Sequence, residues 1–422
     1  MNGRTLNSCL VGMIGCVASV ALVAAAPAHA QACGSDINGD GSVDGGDLSI
    51  LLVNWGACPV SAPTISQVTP NSGPAGGGTV FYIGGTNLNR ATSVTVGGVA
   101  ATILAAHPTV IVATTPANTI PGAKTVAVTT PSDTALARNA FIYASAAPSW
   151  STLIEVAPDP AVVTNAALRD AITATGLPWR VRDNATQIEM VLIPPGTFNM
   201  GCSASSEYGC GGDENPVHAV TLTNAFYIGR YEVTQAQWTA RMGSNPSQHQ
   251  WASKAVPAAQ VPNRPVEMVS WDDVQPFLWV AGLRLPTEAE WEYAYRAGTT
   301  TAFHSMPGFP SGTNDANLKG YIAWWVENAE NQTRPVGGKA PNGFGLYDMS
   351  GNVSEWVNDL WSDAYYASSP STNPPGPAKG YFRVFRGGSF DSSVDELRSS
   401  SRELYPASNV WIDRGFRVAR TP

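Results

Sequence analysis

The stretch Pro341–Trp356 reads Pro-Asn-Gly-Phe-Gly-Leu-Tyr-Asp-Met-Ser-Gly-Asn-Val-Ser-Glu-Trp, and it constrains the fold more than any other part of the chain. Gly343, Gly345 and Gly351 let the backbone turn tightly or enter φ > 0. Leu346, Tyr347, Met349, Val353 and Trp356 supply apolar anchors between those turns. Asp348 and Glu355 are carboxylates inside an otherwise apolar run, and a buried carboxylate needs a cation or hydrogen-bond donors. Two readings stay open. A carbonyl-rich loop with Glu355 close to Gly351 and Val353 suits calcium, which takes oxygen ligands from backbone and carboxylate. In the other reading aromatics pin the loop and Glu355 pairs with an arginine.

A chain of 422 residues has room for two or three domains. Its 41 Gly and 32 Pro, with only 13% charged residues, favour loop-rich and β-rich structure over helical bundles. Met1–Ala30 has the parts of a secretory signal peptide: Arg4, an apolar core over Leu10–Ala26, and a small-x-small site at Ala28-His29-Ala30. The alternative is an uncleaved membrane anchor. No other stretch approaches the length of a membrane span, so a secreted or cell-surface protein with no span after signal cleavage is expected. Without Arg4 the balance is 23 basic against 32 acidic residues, with no basic run, which argues against nucleic acid as a partner.

Cys9 and Cys16 leave with the leader. The remaining cysteines form two local pairs, Cys33 with Cys58 and Cys202 with Cys210, and an even count in an exported protein points to disulfides. Zinc is the rival reading, weakened by the absence of any Cys-x-x-Cys.

Residues 31–60 contain Asp36-Ile-Asn-Gly-Asp-Gly-Ser-Val-Asp-Gly-Gly-Asp47, an EF-hand-like loop. Asp36, Asn38 and Asp40 take positions one, three and five, Ser42 offers its carbonyl at seven, Asp44 stands at nine and Asp47 at twelve. Leu48, Leu51, Leu52 and Trp55 follow at helical spacing and form an apolar face. The segment resembles one repeat of a dockerin, a calcium-dependent module that docks onto cohesins. Dockerins have two repeats and only one is found, which argues against cohesin as a partner.

Over residues 61–144 charge almost vanishes. Val80–Ile83, Ser93–Val96, Thr109–Ala113 and Thr125–Val128 are short β-type runs between turn clusters such as Gly76–Gly78 and Gly97-Gly98, the spacing of an immunoglobulin-type β-sandwich. Pro63–Gly78, followed by Ile83–Leu88, resembles the IPT/TIG family, whose members mostly act as spacers or adhesive modules. No catalytic constellation is evident there. Residues 145–183 read as a linker with a short helix over Thr164–Ala174.

Residues 184–422 carry clear helix starts. Thr234-Gln-Ala-Gln237 and Thr287-Glu-Ala-Glu290 are capping boxes, and Ser270-Trp-Asp-Asp273 is a weaker cap. Glu288 and Glu290 have the chemistry of general acids, but their place in a cap makes them structural. Six landmarks recur in order with the Pro341–Trp356 loop: Ile193–Gly201, Tyr231–Thr234, Pro265–Trp271, Arg284–Ala294, Arg386–Ser389 and Gly415–Arg417. Together they resemble the formylglycine-generating enzyme, or sulfatase-modifying factor, family. The resemblance implies an irregular α+β fold of C-type-lectin-like type after the sandwich.

The family's oxidases convert a substrate cysteine to formylglycine with oxygen and with copper held by two enzyme cysteines. The resemblance puts Ser392 and Leu397 at those positions, and neither can hold Cu(I). Copper and the oxidase activity are therefore not expected. Calcium carries over by resemblance, with one site at Ser350, Gly351, Val353 and Glu355 and another beginning at Asn317 and Leu318. Related iron-dependent sulfoxide synthases need a histidine-rich motif, and His218, His249 and His304 are scattered. Variable ligand-binding proteins on this scaffold use the segment between Arg-Gly-Gly-Ser and Gly-Phe-Arg as a contact surface. The corresponding cleft here takes in Trp356, Ser389, Phe390, Asp391, Ser392, Tyr405, Trp411 and Arg417. The resulting expectation is a calcium-stabilised protein that binds a peptide, glycan or surface-protein ligand. The alternative is an oxidoreductase of the same family acting through a different residue set.

Overall fold

The computed structural model describes residues 38–53, 61–118, 121–144, 147–203, 209–306 and 308–422. The leader, Cys33, Asp36 and Cys58 lie outside the described residues. The EF-hand-like segment is seen from Asn38 onward. Its loop turns through Gly39 and Gly41, both at positive φ, into helix α1, Gly45–Val53. The oxygens of the buried Asp47 accept from the backbone N–H groups of Asn38 and Asp44, at 3.2 and 2.8 Å. Asp40 accepts from Ser42 N–H at 2.9 Å, so these carboxylates brace the loop. Leu48 and Leu52, expected on a packed apolar face, are exposed.

The sandwich has eight strands. They are β1 Thr64–Thr69, β2 Ser72–Pro74, β3 Val80–Thr86, β4 Ser93–Val96, β5 Val99–Ala106, β6 Val110–Thr114, β7 Gly122–Thr129 and β8 Thr134–Ala144, ordered β1-β3-β6-β5-β4-β7-β8-β2. Alternation decides which side chains point inward. On β3, Phe81 and Ile83 are buried while Val80 and Tyr82 face solvent. Val94, Val96, Ile111, Ala113, Val126 and Val128 complete the core with Phe141 and Tyr143. Gly97 and Gly98 both sit at positive φ, the conformation a two-residue hairpin between β4 and β5 requires.

Residues 147–183 are not a free linker. β9, Ser151–Glu155, and β10, Arg180–Asp183, extend a sheet ordered β21-β14-β11-β10-β9 that also holds β11 Glu189–Ile193, β14 Phe226–Gly229 and β21 Ala419–Arg420. Between them helix α2, Ala166–Ala174, is capped by Asn165 and buries Ile172. Val163, Ile172, Trp179 and Val181 belong to the large domain's core, so the region reads as polar connector only until its apolar residues find that sheet.

The rest of the large domain adds the hairpin β12 Gly196–Met200 with β13 His218–Leu222, and the short parallel pair β15 Ala323–Trp324 with β16 Ser350–Gly351. A four-stranded sheet, β19-β18-β17-β20, joins β17 Ser354–Leu360, β18 Phe382–Arg386, β19 Glu403–Pro406 and β20 Arg414–Phe416. Helices α3 Gln235–Met242, α4 Trp271–Ala281 and α5 Glu288–Arg296 all begin in reciprocal capping boxes, with Thr234, Ser270 and Thr287 at the caps. A short α6, Lys319–Ile322, precedes β15. Cys202 and Cys210 form a disulfide. Among the described residues no helix is long and apolar enough to cross a membrane.

Candidate functional site

The Pro341–Trp356 loop is held by its own side chains. Asn342 donates from Nδ2 to the carbonyls of Ala294 and Tyr295, at 2.7 and 3.0 Å, and accepts from the N–H groups of Phe344 and Leu346. It therefore ties the loop to carbonyls at the end of α5 that have no partner inside the helix. Gly351 sits at positive φ, and a Cβ there would lie 2.1 Å from the Trp324 carbonyl oxygen, so the β15–β16 pairing demands glycine. Asn352 accepts from Arg334 N–H at 2.8 Å and donates to Glu232 Oε2 at 2.6 Å. Val353 N–H donates to the other Glu232 oxygen at 2.9 Å.

Glu355 meets an arginine. Arg417 donates to both of its carboxylate oxygens, and Trp291 Nε1 donates to Oε2 at 2.7 Å. Both Glu355 oxygens are thus engaged by the guanidinium and the indole, as in the reading that pairs Glu355 with an arginine. The Ser350 hydroxyl is likewise committed, to Tyr295 and to the Leu397 carbonyl. The carboxylate that fits a cation is Asp348. It is buried, its Oδ2 accepts from Gly337 N–H at 2.6 Å, and its Oδ1 has no hydrogen-bond partner among the described residues. Burial pushes Asp348 up to about 6. Burial, then repulsion from Asp348 and Glu355, holds Glu232 well above the usual carboxylate range. Among the described residues no three His, Cys, Asp or Glu side chains converge on one ion, so backbone carbonyls would have to complete any site. At the other expected calcium position, Asn317 donates from its N–H and Nδ2 to Asp315 Oδ1 at 2.8 and 2.9 Å, and Leu318 packs against the small core around Phe303.

Ser392 and Leu397, which the family resemblance sets at the oxidase cysteine positions, offer no copper ligand. Ser392 Oγ accepts from Ser389 N–H at 3.0 Å and lies 3.3 Å from Ser389 Oγ. Leu397 is fully buried among Phe303, Met306 and Trp325, and its carbonyl accepts from Tyr295 Oη at 3.0 Å. A hydrocarbon and a hydrogen-bonded hydroxyl offer no soft ligand.

Beneath that segment lies an ion network that capping signals did not reveal. Arg386 donates to Glu288 at 2.9 Å, to Glu292 at 2.6 Å and to the Ser399 carbonyl at 2.6 Å. Arg402 donates to Glu288 at 2.6 Å, Arg296 pairs with Glu292 at 2.8 Å, and Arg398 pairs with Glu214 at 2.8 Å. Burial opposes ionisation of Glu288, but Arg402 and Arg386 hold its carboxyl below the ordinary value. The i, i+4 spacing of Glu288, Glu292 and Arg296 was the signal available in the sequence. Glu290 keeps the capping role, accepting from Thr287 N–H and pairing with Arg284.

The expected cleft divides in two. Trp356 is fully buried, donating to the Val269 carbonyl at 3.0 Å, and Arg417 is fully buried against Glu355, so neither faces a ligand. Ser389 and Phe390 are also interior, with the His249 ring edge-on to Phe390 at 5.0 Å. Asp391, Tyr405 and Trp411 are exposed. Arg414 lies over the Tyr405 ring at 3.9 Å, and its Nε stands 3.9 Å from Asp413 Oδ1. Burial, then Glu396 and Asp413, pushes Glu403 up to about 8. The exposed Trp251, in a loop with no periodic signal, was not anticipated.

Residues 178–422 match the family described as sulfatase-modifying factor enzyme 1-like domain, and residues 63–143 match the IPT/TIG domain. The formylglycine-generating enzyme of Streptomyces coelicolor is 34% identical over 280 residues, covering 54% of this chain and 88% of that protein. A protein of Paenibacillus barcinonensis named chaperone protein LppX is 31% identical over 289 residues, covering 55% and 89%. Treponema denticola variable protein 1 superposes with a TM-score of 0.49 at 30% identity, covering 56% of this chain and 95% of that one.

Proposed function

Since the chain belongs over residues 178–422 to the sulfatase-modifying factor enzyme 1-like family, we propose that it is a ligand-binding member of that family without the copper oxidase chemistry. One observation carries the reading: Leu397, at the position that the resemblance assigns to a copper-binding cysteine, is a fully buried hydrocarbon. The ligand surface is the outer part of the segment between Arg386 and Arg417, where Asp391, Tyr405 and Trp411 are exposed. Exposed aromatics beside small polar and acidic groups suit a polypeptide. The protein is exported, the IPT/TIG domain spaces the large domain from the N-terminal segment, and calcium stabilises the EF-hand-like loop and the Asp348 site. Binding to a peptide library, with Trp411→Ala as the variant, tests this. Retention of peptides by the wild type and their loss from the variant is the expected result; equal retention by both overturns the surface assignment.

The similarity to named formylglycine-generating enzymes favours a second reading, an oxidoreductase working through other residues. Metal content separates the two. Copper or iron in the purified protein supports the enzyme, and calcium alone supports the binding protein.

A further inference from the structure

Cys202 and Cys210 close a disulfide loop, eight residues apart, shortly after β12. Both cysteines are half-buried, so the bridge lies near the surface. The flanks of the loop, in contrast, reach into the buried ion network. Before it, Gly201 donates its N–H to Glu292 at 2.9 Å, and its carbonyl accepts from Arg296 at 2.6 Å. After it, Arg398 donates to both Glu214 oxygens at 2.8 Å, and Arg402 donates to the Asp213 carbonyl at 2.8 Å. Arg398 and Arg402 belong to the stretch that runs from Leu397 into β19, so the loop's second flank and that stretch hold one another.

The bridge sits at the neck of these contacts. Cys202 N–H donates to the Glu214 carbonyl at 3.0 Å and sets the two flanks side by side. Gly211, next to Cys210, donates its N–H to Glu214 Oε1 at 3.0 Å. One carboxylate therefore meets both Arg398 and the backbone beside the bridge. Arg398 Nη1 also lies 3.9 Å from Cys210 Sγ. Burial opposes ionisation of Glu214, but Arg398, Ser400 and the Gly211 N–H hold its carboxyl below the ordinary value. While the bridge is closed, opening of the second flank frees little chain. Once it is broken, the opened flank gains conformational freedom and becomes more populated. Each such opening takes Glu214 away from Arg398, and a guanidinium left buried without its carboxylate is unfavourable, so the Arg398 stretch opens with it.

We propose that the Cys202–Cys210 disulfide is a redox-sensitive clamp: oxidised, it holds Glu214 and the Asp213 carbonyl on Arg398 and Arg402 and keeps the stretch leading into β19 in place; reduced, it releases that stretch. The reductant is a dithiol. One of its thiolates attacks a bridge sulfur and forms a mixed disulfide, and its second thiol then displaces the protein sulfur. The protein gains two electrons and two protons as two thiols, and the dithiol becomes a disulfide. Tyr405 lies on β19, so release extends to the ligand surface. That extension rests on the ligand-binding reading above; the clamp itself does not.

Hydrogen–deuterium exchange on the full chain, oxidised and after dithiothreitol, tests the proposal. Reduction should speed amide exchange over residues 398–405 about tenfold or more, while α3 keeps its rate. Cys202→Ser with Cys210→Ser should show the fast rate without reductant and no further response to it, which separates this bridge from any other in the chain. Glu214→Gln, with the bridge intact, should speed the same amides. If Glu214→Gln fails to fold, the wild type and the double serine variant decide the matter. Faster exchange confined to 202–214 overturns the proposal. So does faster exchange throughout the chain, or a 398–405 stretch that still responds to dithiothreitol in the double serine variant. Peptide binding is measured on the same samples. A released stretch with unchanged peptide binding upholds the clamp and removes β19 from the ligand surface.

Discussion

Arg417 clasps Glu355 through both carboxylate oxygens, with Nε donating to Oε2 at 2.6 Å and both side chains excluded from solvent. The contact joins the Gly-Phe-Arg motif to the Pro341–Trp356 loop. Arg417 also donates to the carbonyls of Gly229 and Tyr347, so one guanidinium ties three segments together. Removing one member of such a pair strands the other charge in the interior, at a cost of about 3–5 kcal/mol. Arg417→Ala should lose stability on that scale in urea unfolding, and adding Glu355→Gln should recover part of it. A single variant within about 0.5 kcal/mol of wild type, the usual range for an unremarkable surface change, would contradict this role.

Asp359 sets a pH dependence of the opposite sense to ordinary acid unfolding. It is buried, and burial followed by repulsion from Glu288 pushes its carboxyl up to about 8. In the unfolded chain an aspartate ionises near about 3.9. Between those values the folded state holds a proton that the unfolded state has released, so this group's contribution falls as pH rises from about 4 to about 8. Asp359→Asn keeps an oxygen for the Glu288 N–H, now 2.8 Å from Oδ2, and removes the titration. Relative to wild type, the variant should gain up to about 1.4 kcal/mol per pH unit across that window. Parallel stability curves for the two proteins would exclude a raised Asp359.

Calcium should raise the melting temperature, and EDTA should lower it. Asp40→Ala should weaken the response at the N-terminal loop, where ligands come from a short span. Asp348→Asn separates two possibilities in the large domain. If an ion occupies the site, the variant loses calcium stabilisation; if none does, replacing a carboxylate whose charge is opposed by burial raises stability without calcium. A wild-type melting curve indifferent to both calcium and EDTA would remove the calcium assignment from both sites.

The full chain should not convert a Cys-x-Pro-x-Arg peptide to the aldehyde, with or without copper. Ser392→Cys with Leu397→Cys should bind Cu(I), since two thiolates supply the soft ligands now missing. Leu397→Cys also removes buried hydrocarbon from a packed core and should cost about 2–3 kcal/mol, so copper binding is measured together with the melting temperature. Aldehyde formation by the unsubstituted protein, detected by mass spectrometry, would put the oxidoreductase reading first.

Much of this architecture was legible in local patterns. The strand alternation around Phe81 and Ile83, the glycine pair between β4 and β5, and the caps at Thr234, Ser270 and Thr287 each depend on residues a few positions apart. The order of the landmarks identified the large domain. Tertiary structure alone decided which partner satisfied each buried charge. Glu355 lies 62 residues from Arg417, and Glu288 lies 98 from Arg386 and 114 from Arg402. Irregular loops intervene, so no period connects the members of a pair. The same holds for residues 147–183, whose apolar side chains declare no destination until β10 finds β11. Helix caps and strand faces are decided by bonds within a turn or a pleat. The pairing of a buried carboxylate is decided by which cation the completed fold brings within reach, and the chain has more than one candidate for each.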